Sequence, residues 1–464
     1  MSQPLTTNNA AVDEGDLPPL VHGTIEGAPT LAPRGSKAVD RVVVARTIFV
    51  ALALASVLFF VARFWTVYAA GELFHRLGFD WSLFYAQAQA LRSGAGAAMY
   101  DQATIGRFLQ AMGGAETSLD GWPQPYPPWF AGLMIPLAML PAPAAFGVWL
   151  TASLLAACFL AYRVHQLLPE LGSLGALVAI LAAIPVAWGL FMGQPVVLLA
   201  VAVSEMFVSL RAGLDFRAGL WLSTLLLKPQ YALLLGIFVL WKQRWNAVAG
   251  AIVGGVVLLV VGVVAAGPDS LVRFAGVIQS MSDLHNSVAG PQEMINWRAI
   301  VLAVRPGIGE SVGLALVWGL SLLTMLAGLV VMRGLWAPTT PRFTVGFCAL
   351  TLGALVGSYH SHPHGAALMI VPLAAAWAAP IFSGLTRAAI LAAVYVPTLI
   401  VIWVTGVLEH LAVSSDSDVP LWTVWPNVLP AVLFMLAFAL MCLDLEGTSR
   451  LRVRDRLRRA WLTR

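Results

Sequence analysis

The sequence predicts an all-α, polytopic membrane protein of about twelve transmembrane helices, and three observations carry that reading. Of 464 residues, 59% are hydrophobic and 11% charged, whereas soluble domains carry roughly 25% charged residues. The apolar residues gather into runs, and about 20 such residues in a row cross hydrocarbon. Basic residues recur in alternate loops, the pattern that marks the cytoplasmic side.

Residues 1–40 are polar and rich in Pro and Gly, with Asp13, Glu14 and Asp16 ahead of Arg34 and Lys37. They are expected to form a disordered cytoplasmic tail. The segment lacks the short apolar core and cleavage site of a signal peptide. The first apolar run, 42–65, is therefore expected to be an uncleaved span flanked on its inner side by Arg41 and Arg46. Further runs cover 127–140, 144–166, 173–191, 195–211, 217–241, 245–266, 311–333, 342–358, 363–382, 386–406 and 421–445. Together they make one transmembrane domain over 41–446. A basic tail over 447–464, with Arg450, Arg452, Arg454, Arg456, Arg458 and Arg459, is expected inside, against anionic membrane lipid.

Lys242 and Arg244, Arg333 and Arg342, and Arg387 mark inner loops. The outer loops are then 66–126, 267–310, 359–362 and 407–420, and Arg163, Arg211 and Arg217 fall on the outer side. Within the first outer loop, Trp81, Phe84, Tyr85, Ala88 and Leu91 recur at helical spacing, which describes an amphipathic helix lying in the membrane interface. Leu271, Phe274, Ala275 and Ile278 suggest a second one. Cys158, Cys348 and Cys442 sit inside apolar runs and read as packing residues. The net charge of +4 reports topology rather than a nucleic-acid partner.

Asp80 is a carboxylate at the point where the chain leaves the bilayer, just ahead of the interfacial helix. It reads as an N-cap, as a catalytic base, or as both. Tyr126-Pro127-Pro128 opens the second apolar run with proline where a helix has no hydrogen bond to lose, and Tyr126 brings a phenol to the outer interface. Gly193-Gln194 breaks another run. Lys228-Pro229-Gln230 interrupts an apolar segment, and a lysine at that depth needs a partner or a polar cavity. Glu205 is the expected partner. The pair is then structural, or Lys228 anchors a phosphate, or both line an ion path.

Ser358-Tyr359-His360-Ser361-His362-Pro363-His364-Gly365 is the densest polar cluster. Pro363 at a first helical position puts His362 near the cap and His364 in the first turn, where free N–H groups favour a phosphate. Three alternating imidazoles also suggest a metal, but no Cys and no nearby carboxylate completes a ligand set. A satisfied polar loop is the third reading. The 267–310 loop supplies Asp283, His285, Asn286, Glu293, Asn296, Trp297 and Arg298, groups compatible with sugar binding.

In this order the motifs resemble glycosyltransferase family 87, the polyprenyl-phosphate-mannose-dependent mannosyltransferases of GT-C fold. The matching pieces are Asp80 with Tyr85 and Leu91, Tyr100-Asp101, Tyr126-Pro127-Pro128 with Pro136-Leu137 and Leu140-Pro141, Gly193-Gln194, Lys228-Pro229-Gln230, and His362 or His364 ahead of Pro372-Leu373. Pro195, Val196 and Val197 follow the Gly-Gln pair, where family members often place an Asn. The resemblance implies an inverting hexosyltransferase of the cell membrane, its active site extracytoplasmic; no cofactor is expected and no metal ligands are assigned. Mannose or a related sugar would pass from a polyprenyl phosphate to a glycolipid or glycan acceptor. Asp80 would be the general base, and Tyr85, Tyr126, Lys228, Gln230, His285, His360, His362 and His364 would bind substrate. One carboxylate suffices because the phosphate leaves as a stable anion, whereas glycosidases need a second, acidic one. The competing class is a transporter or lipid flippase using Lys228 and Glu205, although the paired broken helices of such folds are not evident.

Overall fold

The computed structural model describes residues 36–112, 126–285, 290–396 and 425–462. The chain divides into two compact units, Met1–Phe49 and Val50–Arg464. Of the first, residues 1–35, most of the expected disordered tail, lie outside the described residues, and from Ser36 the chain is helical. All that follows concerns the second unit.

In chain order the helices are α1 (Ser36–Ala69), α2 (Phe79–Arg92), α3 (Gln102–Ala111), α4 (Pro128–Met134), α5 (Ala142–Leu167), α6 (Gly172–Ala182), α7 (Ile184–Met192), α8 (Val196–Arg211) and α9 (Asp215–Thr224). There follow α10 (Pro229–Trp241), α11 (Trp245–Ala266), α12 (Asp269–Ser280), α13 (Trp297–Val304), α14 (Glu310–Val331), α15 (Pro341–Val356), α16 (Ile370–Ala378), α17 (Gly384–Val396) and α18 (Trp425–Leu462). Among the described residues the one β-type pairing is an isolated bridge between Leu73 and Leu77. The protein is all-α, as its apolar runs require.

Among the described residues four helices are long and apolar enough to cross a membrane: α5, α11, α14 and the Val428–Gly447 part of α18. Pro169–Ala182 and Ile184–Met192, bent by 66° at their junction, make a fifth when taken as one span. Among the described residues most of the other apolar runs fall into shorter helices, and these residues do not bear out a count of twelve spans. Outward faces of α11 and α14, with Val253, Val256, Val257, Val260, Leu322 and Leu323, leave large apolar side chains uncovered, as lipid contact demands.

Two of the expected spans need correction. The run 127–140 yields only the seven-residue α4 and a 3-10 turn over Leu137–Met139, too short to cross. The run 217–241 is two helices rather than one. Leu225–Leu227 closes α9 as a 3-10 turn, and Pro229 begins α10. Arg244, just past the end of α10, forms an ion pair with Asp215, the first residue of α9. Both arms therefore start from one end of the molecule, and Lys228 is the tip of a helical hairpin. Proline after a buried lysine is the local cause, since neither residue continues a helix in apolar surroundings.

The same end collects further bases. Arg163 and Arg217 both pair with Glu205, at 2.6 and 2.7 Å. Lys242 donates to the carbonyl of Gly334 at 2.9 Å, and Arg333 pairs with Glu446 at 2.7 Å. The expected outer position of Arg163 and Arg217 is thus overturned. Removing 127–140 from the spans shifts the parity by one and puts them with Lys242 and Arg333. The expected Lys228–Glu205 pair is also overturned, because two guanidinium groups satisfy Glu205 at this basic end.

Helix α2 differs from the interfacial helix expected here. Ten of its fourteen residues are buried, including Trp81, Ser82, Phe84, Gln87 and Leu91. It packs on most sides against protein because its two faces are both built of aromatic and small residues. Helix α12 forms where the second amphipathic helix was expected, with Ser270 its one buried residue. The expected 407–420 loop and the carboxyl half of the 386–406 run lie outside the described residues. The basic tail does not separate from the last span, since α18 continues to Leu462.

Two buried cores organise the unit. One joins α5, α8, α10, α15 and α16; the other joins α2, α3, α4 and the start of α5. Leu198 and Leu227 pack against both. Gln194 lies four residues before the first of these, and Lys228 follows the second.

Candidate active site

The seam between the two cores is fastened by two glycines. Gly78 caps α2 at φ 71°, and its N–H donates to the carbonyl of Phe191, near the end of α7, at 2.8 Å. Gly193 closes α7 at φ 73°, a conformation that side chains with a Cβ rarely adopt. A Cβ there would lie 2.5 Å from Cβ of Trp81. Trp149 donates its indole N–H to the Gly193 carbonyl at 2.9 Å, while Trp81 stacks on Phe74 with ring centroids 5.4 Å apart. The end of α7 is therefore pressed directly onto the first turn of α2.

That contact brings Gln194 to Asp80. Asp80 lies inside the first turn of α2 and caps nothing, so the N-cap reading is overturned. Gly78 occupies the capping position instead. The carboxylate accepts from Nε2 of Gln194, and Oε1 of Gln194 accepts from the Tyr126 hydroxyl at 2.8 Å. Tyr126 is held in turn by Tyr100, which donates to its carbonyl at 2.8 Å, and by Phe84, whose ring centroid is 4.2 Å away. Asp80 is only partly covered, yet burial pushes its carboxyl upward, against the opposing effects of Gln194 and the Lys228 charge.

Lys228 reaches the same place from the hairpin tip. Its Nζ lies 3.3 Å from Nε2 of His364 and 5.4 Å from the Tyr126 ring centroid. Burial lowers the ammonium to about 8, with Asp80 acting the other way. A cation so placed is costly in an apolar interior, and its counter-charge here is Asp80 rather than Glu205.

The His-rich turn forms the opposite wall. His362 takes the capping position of a 3-10 turn, Pro363–Met369, that leads directly into α16, so the expected helix start is tighter than an α-helix. The rings of His360 and His362 are 4.9 Å apart, and those of His362 and His364 stack at 5.6 Å. Burial, with His362, Lys228 and Arg298 as cationic neighbours, holds the His360 imidazole well below its ordinary range. Gln230 donates to the His360 carbonyl at 3.4 Å.

Residues 291–298 clamp this turn in place, a role the sequence did not reveal. The Ile295 N–H donates to the Ser361 carbonyl at 2.7 Å. The buried Asn296 donates to the carbonyls of Ser358 and Tyr359 at 3.0 and 2.8 Å. Arg298, fully buried, donates to the carbonyls of Leu284 and Met281 at 3.0 and 3.3 Å and to that of Asp283, with its guanidinium 4.9 Å over the Tyr359 ring. An Asn directly ahead of a helix was the available signal, since its side chain caps α13. Glu293 and His362 flank Gly290, and although Glu293 is exposed, surrounding protein and the Asp80 charge raise its carboxyl.

Two expected site residues are not brought here. Tyr85 spends its hydroxyl on the Leu140 carbonyl at 2.7 Å and accepts from Gln89. His285 lies 2.9 Å from the Ile308 carbonyl and 4.0 Å from Glu310, nearly half exposed. Asp80, Tyr126, Lys228, Gln230, His360, His362 and His364 do converge. Among the described residues no three His, Cys, Asp or Glu side chains are gathered as metal ligands.

The partly covered Asp80 carboxylate, with Glu293 as a charged neighbour, thus stands near an ammonium and imidazoles, an arrangement able to take a proton on one side and hold an anion on the other. A model of glycosyltransferase family 87 matches residues 125–358. The match includes Tyr126, Gln194 and Lys228, while Asp80 and the three histidines fall beyond its ends. No curated protein and no solved structure matches the chain.

Proposed function

The chain belongs to glycosyltransferase family 87 and is a membrane glycosyltransferase, and from that premise we propose that it transfers mannose or a related sugar from a polyprenyl phosphate to an extracytoplasmic lipid or glycan acceptor. The observation that carries the reading is the pairing of Asp80 with the wall of Lys228 and His364. In a single displacement the acceptor oxygen bonds to the anomeric carbon as the bond from that carbon to the phosphate oxygen breaks. The acceptor's proton goes to Asp80, and the electron pair leaves with the phosphate. Lys228, His362 and His364 hold that phosphate, whose negative charge grows as the bond breaks. Attack from the face opposite the leaving group inverts the anomeric centre.

Sidedness follows from the basic end, which we assign to the cytoplasm. The chamber then opens to the other side of the cell membrane. A transporter or flippase path through Lys228 and Glu205 loses its premise, because Glu205 is paired with Arg163 and Arg217.

The test is an assay of purified protein with polyprenyl-phosphate sugars, nucleotide sugars and membrane glycolipid extract. Transfer from polyprenyl-phosphate mannose, with polyprenyl phosphate released, is expected. Transfer from nucleotide sugars alone would overturn the proposed donor, and vesicle uptake without any transfer would overturn the activity.

The Lys228 ammonium at about 8 gives a pH prediction. Phosphate binding needs its protonated form, so kcat/KM for the donor should fall as pH rises through about 8, this being a property of the free enzyme. Lys228→Arg keeps its charge well past that range and should carry the alkaline limb upward with it. An alkaline limb unmoved by Lys228→Arg would remove Lys228 from donor binding.

A further inference from the structure

We propose that Tyr126 and Gln194 are positioning residues for the base: the phenol orients the amide, and the amide engages Oδ2 of Asp80 so that Oδ1 meets the acceptor hydroxyl. The proposal rests on Asp80 as the base and replaces the expected substrate contact of Tyr126 with a different role.

The geometry allows little else for either side chain. An ionised carboxylate only accepts hydrogen bonds, and a primary amide has one accepting and one donating end. Nε2 of Gln194 faces Asp80, which leaves Oε1 to the Tyr126 hydroxyl at 2.8 Å. Were the amide reversed, its oxygen would oppose Oδ2, a pairing tolerated only by a protonated Asp80. Tyr126 prevents reversal by committing its proton to Oε1. Both side chains are buried, at 5% exposure each, so water is a poor substitute for either partner.

Both are also fixed from behind. The Gln194 N–H donates to the Gly189 carbonyl at 2.8 Å, and Gly193 abuts Trp81. The Tyr126 ring is enclosed by Phe84 and Phe130, the latter with its centroid 5.1 Å away. Among the described residues no hydrogen bond engages Oδ1 of Asp80. That oxygen is the one left to receive a proton.

The charged and titratable groups around Asp80 come from several elements. Lys228 stands at the hairpin tip with His364 and His360 near it, Glu293 ends the 3-10 turn Pro291–Glu293, and the Tyr126 and Tyr231 phenols lie behind. Burial favours a protonated Asp80, while the amide donor and Lys228 favour the anion. Loss of the oriented amide therefore removes one of two groups that keep the base ready at neutral pH.

The experiment is a kcat/KM profile against pH for the parent, Tyr126→Phe and Gln194→Leu, with melting temperatures and with Asp80→Asn in the same assay. Tyr126→Phe keeps the ring and removes the donated proton. Its acid limb should move up by about one unit, a loss of about tenfold at the acid end that shrinks as pH rises. Gln194→Leu should move the limb further, and Gln194→Met stands in for it should the leucine variant not fold. A uniform loss at every pH with the acid limb in place would mark Tyr126 as a substrate contact or a mere packing residue, and would overturn the relay. Near-parental turnover of Asp80→Asn would instead strike the base assignment itself, so the two failures are distinguishable.

Discussion

Asp80→Asn is expected to lower sugar transfer by about 100- to 10,000-fold, the usual worth of a general base, with folding and donor binding largely retained. The amide preserves the shape of the side chain and keeps an oxygen to accept from Gln194, so the seam between α2 and α7 survives. What it lacks is any capacity to take the acceptor's proton. Helix α2 loses no cap, because Gly78 and not Asp80 stands at its start. Turnover and melting temperature of the purified variant, set against the parent, decide the matter. Near-parental turnover would eliminate Asp80 and make Glu293, beside His362, the next base to test.

Gly193→Ala is expected to give the second large effect. Its φ of 73° costs a residue with a Cβ about 1–2 kcal/mol. The new methyl would stand 2.5 Å from Trp81 Cβ and 3.1 Å from the Phe146 ring, and overpacking of that kind typically costs about 1–3 kcal/mol. Destabilisation of about 2–5 kcal/mol follows. Activity should fall by more than the folded fraction does, because relief of the clash moves Gln194 away from Asp80. Gly213 supplies the control: its φ is 75°, but a Cβ there meets nothing within 4 Å. Gly213→Ala should show the strain alone and keep its activity per folded molecule. Equal behaviour of the two variants would mean that the α2–α7 contact does not set the site.

Much of this was legible from helix ends. Tyr126-Pro127, Gly193-Gln194, Lys228-Pro229 and His362-Pro363 all interrupt apolar runs, and each proves to terminate or start a helix at the chamber. Interruption was visible because Pro, Gly and charge are rare where a chain must satisfy its own backbone. Direction was not visible. The run 217–241 is apolar on both sides of Lys228, so hydropathy alone cannot tell a straight span from a hairpin. Glu205 is buried like Lys228, which suggests a pair, but its partners are Arg163 and Arg217, which reach it because the short run 127–140 does not cross. Tyr85 follows from the family resemblance and His285 from a loop of sugar-compatible groups, but their hydroxyl and imidazole are used on the carbonyls of Leu140 and Ile308.

The hairpin has a consequence for how the enzyme meets an energised membrane. Helices α11 and α14, of 22 residues each, extend roughly 33 Å from the basic end, whereas α10, of 13 residues, extends roughly 20 Å, and α8 and α15, of 16 each, roughly 24 Å. Lys228, Gln194 and the histidine turn therefore stop roughly 10 Å short of the far ends of the longest helices. A phosphate drawn down to Lys228 crosses about a third of the hydrocarbon, and a full crossing is worth about 2.3 kcal/mol per charge per 100 mV. Under the proposed sidedness, with the basic end in a negative cytoplasm, the membrane voltage would oppose entry of that anion by roughly 0.8 kcal/mol per charge for each 100 mV. Donor affinity measured in detergent, where no voltage exists, would then overstate the affinity in a living cell.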